Sequence, residues 1–231
     1  LGNRAPPRRL PRRSWNTTRN GSTRIIWSSH MAADAPPRQI AAFDFDGTLT
    51  VRDSFTAFLR WRRGRRRFLK LTPAALAYAG HGDRGRLKAS AVRAFLAGTT
   101  REALERDAEV FAAAWWDRLV RPDALARWRE HQAAGDLCVI VTASPEETVA
   151  PFARRLGADR LLGTPLVFSA GGRVVGMDWL ENCRGEEKVR RLRDAFGPDV
   201  RLAAAYGDTS GDTEMLALAD RPGFRVFTGR P

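Results

Sequence analysis

Apolar residues fall along this chain in two rhythms. Short, mainly apolar runs stand at residues 40–45, 137–141 and 202–206, with a fourth at 224–227. Runs of this length, bounded by polar and turn-forming residues, predict strands buried on both faces. Between them, apolar residues recur every three or four positions, which predicts helices. Strands alternating with helices predict an α/β fold with a parallel sheet, a Rossmann-like three-layer α/β/α core. Residues 53–118 depart from that alternation and read as helix after helix. There Thr99 and Glu102 form a capping-box pattern, and Leu104, Ala108, Phe111 and Trp115 fall on one helical face. The pattern predicts a helical insertion after the first strand, with its aromatic residues as core. Gly171-Gly172, flanked by short β-prone runs, predicts a hairpin. The expected organisation is a basic, disordered extension over 1–36, an α/β core over 37–52 and 119–231, and a helical cap over 53–118.

In open parallel sheets, ligands bind beyond the carboxyl ends of the strands. Four polar clusters follow these strands or open the helices beside them. Asp44-Phe45-Asp46-Gly47-Thr48 closes the first apolar run. Carboxylates at i and i+2 of an extended segment point the same way, and their repulsion calls for a metal or a shared proton. The bland alternative is an acidic surface turn. Thr142-Ala143-Ser144-Pro145-Glu146-Glu147 closes the second run. Ser144, with Pro145 and Glu147 after it, predicts a helix N-cap. The helix start would make an anion site beside Thr142. Gly185-Glu186-Glu187-Lys188 opens a helix to about residue 196. Lysine occurs only at 70, 88 and 188 among 39 basic residues, so Lys188 stands out as a compact point charge where arginine is the default. Gly207-Asp208-Thr209-Ser210-Gly211-Asp212 closes the third run. Its carboxylates suit magnesium, although Asp208 could equally cap the next helix.

Composition narrows the classes. The 231 residues carry a net charge of +13, but residues 1–30 hold seven arginines and no acid, leaving +6 over the other 201. A charge run is usually a solvated face, so no nucleic-acid partner is expected. Residues 60–70 concentrate arginine, with Lys70 at the end, beside an apolar stretch. That run is a candidate peripheral contact with anionic lipid. The stretch 71–80 is too short to span a bilayer, which needs about 20 apolar residues. Three scattered histidines give no zinc pattern. Cys138 and Cys183 read as reduced thiols of a cytoplasmic protein. Met31 reads as the working start, with the preceding stretch an extension.

Taken in order, the four clusters resemble the motifs of the haloacid dehalogenase superfamily over about residues 38 to 228. The helical insertion between the first two motifs is similar to subfamily I. The segments Asp53-Ser54-Phe55, Ser144-Pro145-Glu146 and Cys183-Arg184-Gly185-Glu186-Glu187-Lys188 resemble its IB branch. That branch includes phosphoserine phosphatases and phosphatidylglycerophosphatase C-like enzymes. The resemblance implies a magnesium-dependent phosphatase working through an aspartyl-phosphate. Asp44 matches the nucleophile and a metal ligand. Asp46 matches the general acid–base, with its backbone carbonyl on the metal. Thr142 matches the phosphate-binding hydroxyl, Lys188 the charge-neutralising lysine, Asp208 a metal-binding acid and Asp212 its support. Asp53 falls where phosphoserine phosphatases carry a glutamate. With Ala143 in place of a frequent glycine, that departure weakens serine recognition. Ala143, Asp53 and Arg93 are the remaining candidate substrate contacts. Three functions stay open: phosphatase of a small phosphorylated metabolite, phosphoserine included; phosphatase of a phospholipid headgroup; and a catalytically idle basic module that binds nucleic acid or protein.

Overall fold

The computed structural model describes residues 15–17, 23–25, 38–64, 68, 84–178 and 180–231. The chain divides into two units, Leu1–Pro36 and Pro37–Pro231. Within the first, β1 (Trp15–Thr17) pairs antiparallel with β2 (Thr23–Ile25). The extension was expected to be without structure. Apart from this pair, it lies outside the described residues.

The second unit opens with β3 (Ile40–Phe43). Next come α1 (Ser54–Arg63), α2 (Arg84–Leu96), α3 (Arg101–Leu119) and α4 (Pro122–Ala134). Then follow β4 (Leu137–Pro145), α5 (Glu146–Leu156), β5 (Arg160–Thr164) and the hairpin β6 (Leu166–Phe168) with β7 (Val174–Met177). The chain ends with α6 (Glu186–Phe196), β8 (Leu202–Gly207), α7 (Thr213–Ala217) and β9 (Ala219–Phe224). The main sheet has the order β5-β4-β3-β8-β9, and all four neighbouring pairs are parallel. Phe43 therefore lies in register with both Ile140 and Tyr206, so the residues just after β3, β4 and β8 emerge at one edge.

The central strands are apolar throughout because layers cover both faces. Ala41, Ala42, Ala204 and Ala205 are fully buried, and their small side chains let the covering layers come close. Two strands differ from expectation. β5 has little apolar signature and was not foreseen. β9 ends where the fourth apolar run begins, and Phe224 and Val226 stay about half exposed. An edge strand has only one neighbour and tolerates Pro222 without losing a ladder bond that matters.

Among the described residues of 53–118 the elements are helices, with two local shifts from expectation. The cap of α3 is Thr100, whose hydroxyl accepts from the Ala103 N–H, one residue past the expected Thr99. The buried tryptophan of α3 is Trp116, not the half-buried Trp115. The insertion does not stand clear of the sheet. Phe111 and Trp116 pack against Phe152 of α5 at ring distances of 6.1 and 6.0 Å, and Phe152 meets Phe45 at 5.4 Å. One apolar cluster runs from these rings to Phe43 of the central strand. The hairpin adds a second attachment: Arg173 bridges Thr100, and the Gly98 N–H donates to the Val174 carbonyl at 2.8 Å.

Two arginines of the basic run turn inward. Arg62 Nε donates to Asp107 at 2.6 Å, and Arg63 Nε to the Phe95 carbonyl at 3.0 Å. Residues 65–67, 69–70 and the apolar stretch 71–80 lie outside the described residues.

Arg101, at the start of α3, sits 3.7 Å over the Phe168 ring and 3.8 Å from Glu147 of α5. The Glu147 side chain is 8% exposed, and its Oε2 has no hydrogen-bond partner among the described residues. Burial, with Glu146 adding to it, pushes this carboxyl up to about 7 against the pull of Arg101. Its ordinary value is 4.5, so the folded state holds the proton more tightly than the unfolded one, and stability is lost as pH rises towards 7. Glu147→Gln is expected to flatten that decline between pH 5 and 8. The full effect of such a shift is about 3 kcal/mol, and denaturant midpoints of the two proteins at each pH measure it. Parallel pH profiles would contradict the assignment.

Candidate active site

A cleft of about 390 Å³ opens at the carboxyl edge of the sheet. Its lining includes Asp44, Asp46, Asp53, Thr142, Ala143, Lys188, Asp208 and Asp212. Eight of the nine candidate positions thus meet in one place, from four separate stretches of chain. The exception is Arg93. It is exposed on α2 and does not line the cleft. Five residues along a helix turn the side chain by about 140°, and it is Lys88 of the same helix that faces inward.

Lys188 is the hub. Its side chain is 2% exposed, and its Nζ donates to Asp44 Oδ1 at 2.7 Å, Asp212 Oδ1 at 2.6 Å and the Val141 carbonyl at 2.7 Å. Burial works against its charge, but Asp44 and Asp212 overcome that and push the ammonium pKa up. Burial likewise pushes Asp44 up to about 7 against Lys188, with Asp212 and Asp46 adding to the rise. Asp212 goes the other way: burial would raise it, but Lys188 and the Thr209 donors hold it low. Asp208 is raised by burial and then by Asp212.

Asp44, Asp208 and Asp212 each place a carboxylate oxygen within 4.8 Å of the others. The two oxygens of Asp212 are already engaged. Oδ1 accepts from Lys188, and Oδ2 accepts from the Asp208 and Thr209 N–H groups and the Thr209 hydroxyl. Among the described residues, no donor reaches the second oxygen of Asp44 or of Asp208 Oδ2. Two glycines make the crowding achievable. A Cβ on Gly47, at φ +87°, would lie 2.3 Å from Asp208 Oδ2, and one on Gly207 would lie 2.4 Å from the Asp212 Cβ. Hard oxygen donors, two of them on carboxyls raised by burial and by the Asp212 charge, fit a hard divalent cation. Asp44 and Asp208 would hold it, and Asp212 would support them through its bonds to Lys188 and the Asp208 N–H.

Asp46 is held on both oxygens. Oδ1 accepts from the Ser54 N–H at 2.7 Å and the Ser54 hydroxyl at 2.5 Å. Oδ2 accepts from the Ser144 hydroxyl. Burial, followed by the Asp53 charge, pushes this carboxyl up, while Lys88 and the two serines lower it. Asp53 itself caps α1, accepting from the Thr56 N–H at 2.6 Å.

Ser144 corrects an expectation. It is not a helix cap: β4 continues through Pro145, and α5 starts without a side-chain cap. The first turn of α5 holds Glu146 and Glu147, and neither lines the cleft. The cleft reaches Thr142 and Ala143 instead. The Thr142 hydroxyl is buried and accepts from the Ser144 N–H at 3.1 Å. Arg52, Arg121 and Asn182 also line the cleft, and no motif pointed to them; Arg184, from the segment before Lys188, lines it too. Lys88 had a signal, because it is one of only three lysines in the chain.

Comparison with known proteins bears on the family and the fold. A family model described as haloacid dehalogenase-like hydrolase matches residues 41–217. Protein CicA of Caulobacter vibrioides is 60% identical over 195 residues, covering 83% of this chain and 88% of that protein. A solved structure from Bordetella pertussis Tohama I, described as of unknown function, has a TM-score of 0.66 at 26% identity. It covers 81% of this chain and 89% of its own. A substrate-bound phosphoserine phosphatase shares the fold at a TM-score of 0.56 and 18% identity, over 82% of this chain and 87% of its own.

Proposed function

The chain belongs to the haloacid dehalogenase-like hydrolase family, and on that footing we propose that it is a phosphatase that hydrolyses a phosphate monoester through an aspartyl-phosphate on Asp44. One observation carries the reading: a buried lysine joined at 2.7 Å to the first acid of an Asp-x-Asp pair, with an oxygen cluster beside it. A carboxylate approaching a phosphate dianion is repelled, and that repulsion has to be offset before bonding can begin. Lys188 neutralises part of it. Magnesium bound at Asp44 and Asp208 would supply Lewis-acid charge stabilisation. Thr142 offers a hydroxyl to a phosphoryl oxygen. Asp46 gives its proton to the leaving oxygen and later takes one from the attacking water. Covalent capture on Asp44 splits one hard displacement into two easier ones.

We read α1 to α3 as the cap, of the IB kind, that covers the leaving group. The small volume and charged lining of the cleft support a small polar leaving group. Phosphoserine stays a candidate because Asp53 and Lys88 offer opposite charges to an amine and a carboxylate. The phospholipid reading has less support, since Arg62 and Arg63 are engaged inside the fold. The idle-module reading is disfavoured by the complete set of acids around Lys188.

The test is a magnesium-supported screen of phosphorylated metabolites, phosphoserine and a phosphatidylglycerophosphate among them. Activity is expected to fall to background with a chelator and to return with added magnesium. Turnover that survives exhaustive chelation would place the chemistry elsewhere.

A further inference from the structure

The Asp46 carboxyl has one unusual neighbour. Lys88 reaches it from α2, an element of the insertion, across 42 positions of sequence. Its Nζ donates to the Ser144 hydroxyl at 2.9 Å and lies 3.7 Å from Asp46 Oδ2 and 3.8 Å from Asp53 Oδ2. Ser144 in turn bonds Asp46 Oδ2.

The direction of this chain follows from its donors. A lysine ammonium can only donate, whereas a serine hydroxyl has one hydrogen and can also accept. With Lys88 in place, Ser144 must accept from it, and its single hydrogen is directed onto Asp46. Together with the two bonds from Ser54, this holds both oxygens of Asp46 in one rotamer. An unheld aspartate would share its time among staggered positions. Proton transfer depends on correct placement of the carboxyl within hydrogen-bond reach.

We propose that Lys88 is a positioning residue that acts through Ser144 to fix Asp46 for leaving-group protonation. The inference rests on the phosphatase reading above. In the step concerned, the Asp44 oxygen forms a bond to phosphorus as the bond from phosphorus to the leaving oxygen breaks. The electron pair of that bond stays on the leaving oxygen, and the Asp46 proton goes to it. Because Lys88 comes from the insertion, the acid is fully positioned only when α2 lies over the cleft.

The test uses leaving groups of different need. An alkyl monoester such as glycerol phosphate requires a proton to depart; p-nitrophenyl phosphate scarcely does. kcat/KM reports the steps up to departure, so it isolates this role from the later attack of water. With magnesium present, Lys88→Met and Ser144→Ala should each lower kcat/KM for the alkyl ester on the order of 10–100-fold, a part of what general acid catalysis is worth. The aryl ester should lose less than about 5-fold, because its departure draws little on the acid. The double variant should lose no more than the worse single one, since the two side chains form one chain. Lys88→Arg and Ser144→Thr keep the donors and should restore most of the alkyl activity. Equal losses on the two esters in an active enzyme would overturn the inference alone, pointing to phosphate binding or folding. Additive losses would do the same. Wild-type protein inactive on both esters would overturn the phosphatase reading and this inference together.

Discussion

Asp44→Asn is expected to lower kcat/KM on the order of 10⁴–10⁶-fold, the scale of losing one member of a catalytic unit, and to leave the protein folded. The amide keeps the shape of the side chain but is not a nucleophile towards phosphorus. The fold should tolerate the change because Asp44 is a strained presence. Burial pushes its carboxyl up to about 7, so at pH 8 the ionised form is held at a cost. The neutral amide removes that cost and keeps an oxygen for the Lys188 bond. Single-turnover assays on the best substrate, with thermal melts at pH 8, measure both parts. Near-normal turnover would remove Asp44 from the chemistry. A large fall in melting temperature would show that the buried charge is a net support of the fold.

Lys188→Met is expected to do more damage to the molecule as a whole. Methionine matches the length of the side chain but leaves Asp44 and Asp212 buried without their shared cation. Breaking a buried pair by removing one partner typically costs about 3–5 kcal/mol, a large share of a domain's stability. Catalysis should fall with it, because the share of the nucleophile's charge that Lys188 offsets is then left to the metal site alone. The combined Asp44→Asn/Lys188→Met protein should be less destabilised than the sum of the two changes, since one of the stranded charges is gone. Urea unfolding of the three variants at pH 7.5 gives the comparison. A Lys188→Met protein as stable as the wild type would show that the two carboxyls simply take up protons.

The parts of the site that could be read in advance share one property: each sits directly after a buried strand or at a helix start. Asp44, Thr142 and Asp208 follow short apolar runs, and a parallel sheet delivers such positions to one edge. Lys188 was found because lysine is scarce. The same scarcity applied to Lys88, yet nothing local marked it. Its neighbours in sequence are helical, and its partners lie 42 and 56 positions away, at Asp46 and Ser144. Arg93, on the same helix, lies outside the cleft lining, because a sequence without a known helix face cannot tell inward from outward. Ser144 was misread for a related reason: Ser-Pro-Glu is a sound helix-start signal, but β4 ran on and the hydroxyl found a stronger partner in Asp46. In the fold, the central strands were legible from their apolar runs. The edge strands β5 and β9 were not, because they are covered less and carry less apolar patterning.

The aromatic contacts from Phe111 and Trp116 through Phe152 to Phe45 have a consequence for folding. A lid that met its base only across a polar cleft could melt by itself. Here the rings of α3 share the cluster that covers the central strand, so neither partner completes its interior alone. The insertion and the sheet therefore make one cooperative unit, and denaturation should draw them apart in a single transition. Phe95 and Leu96 of α2 and Val174 of the hairpin belong to that same cluster, so they should be lost in the same transition.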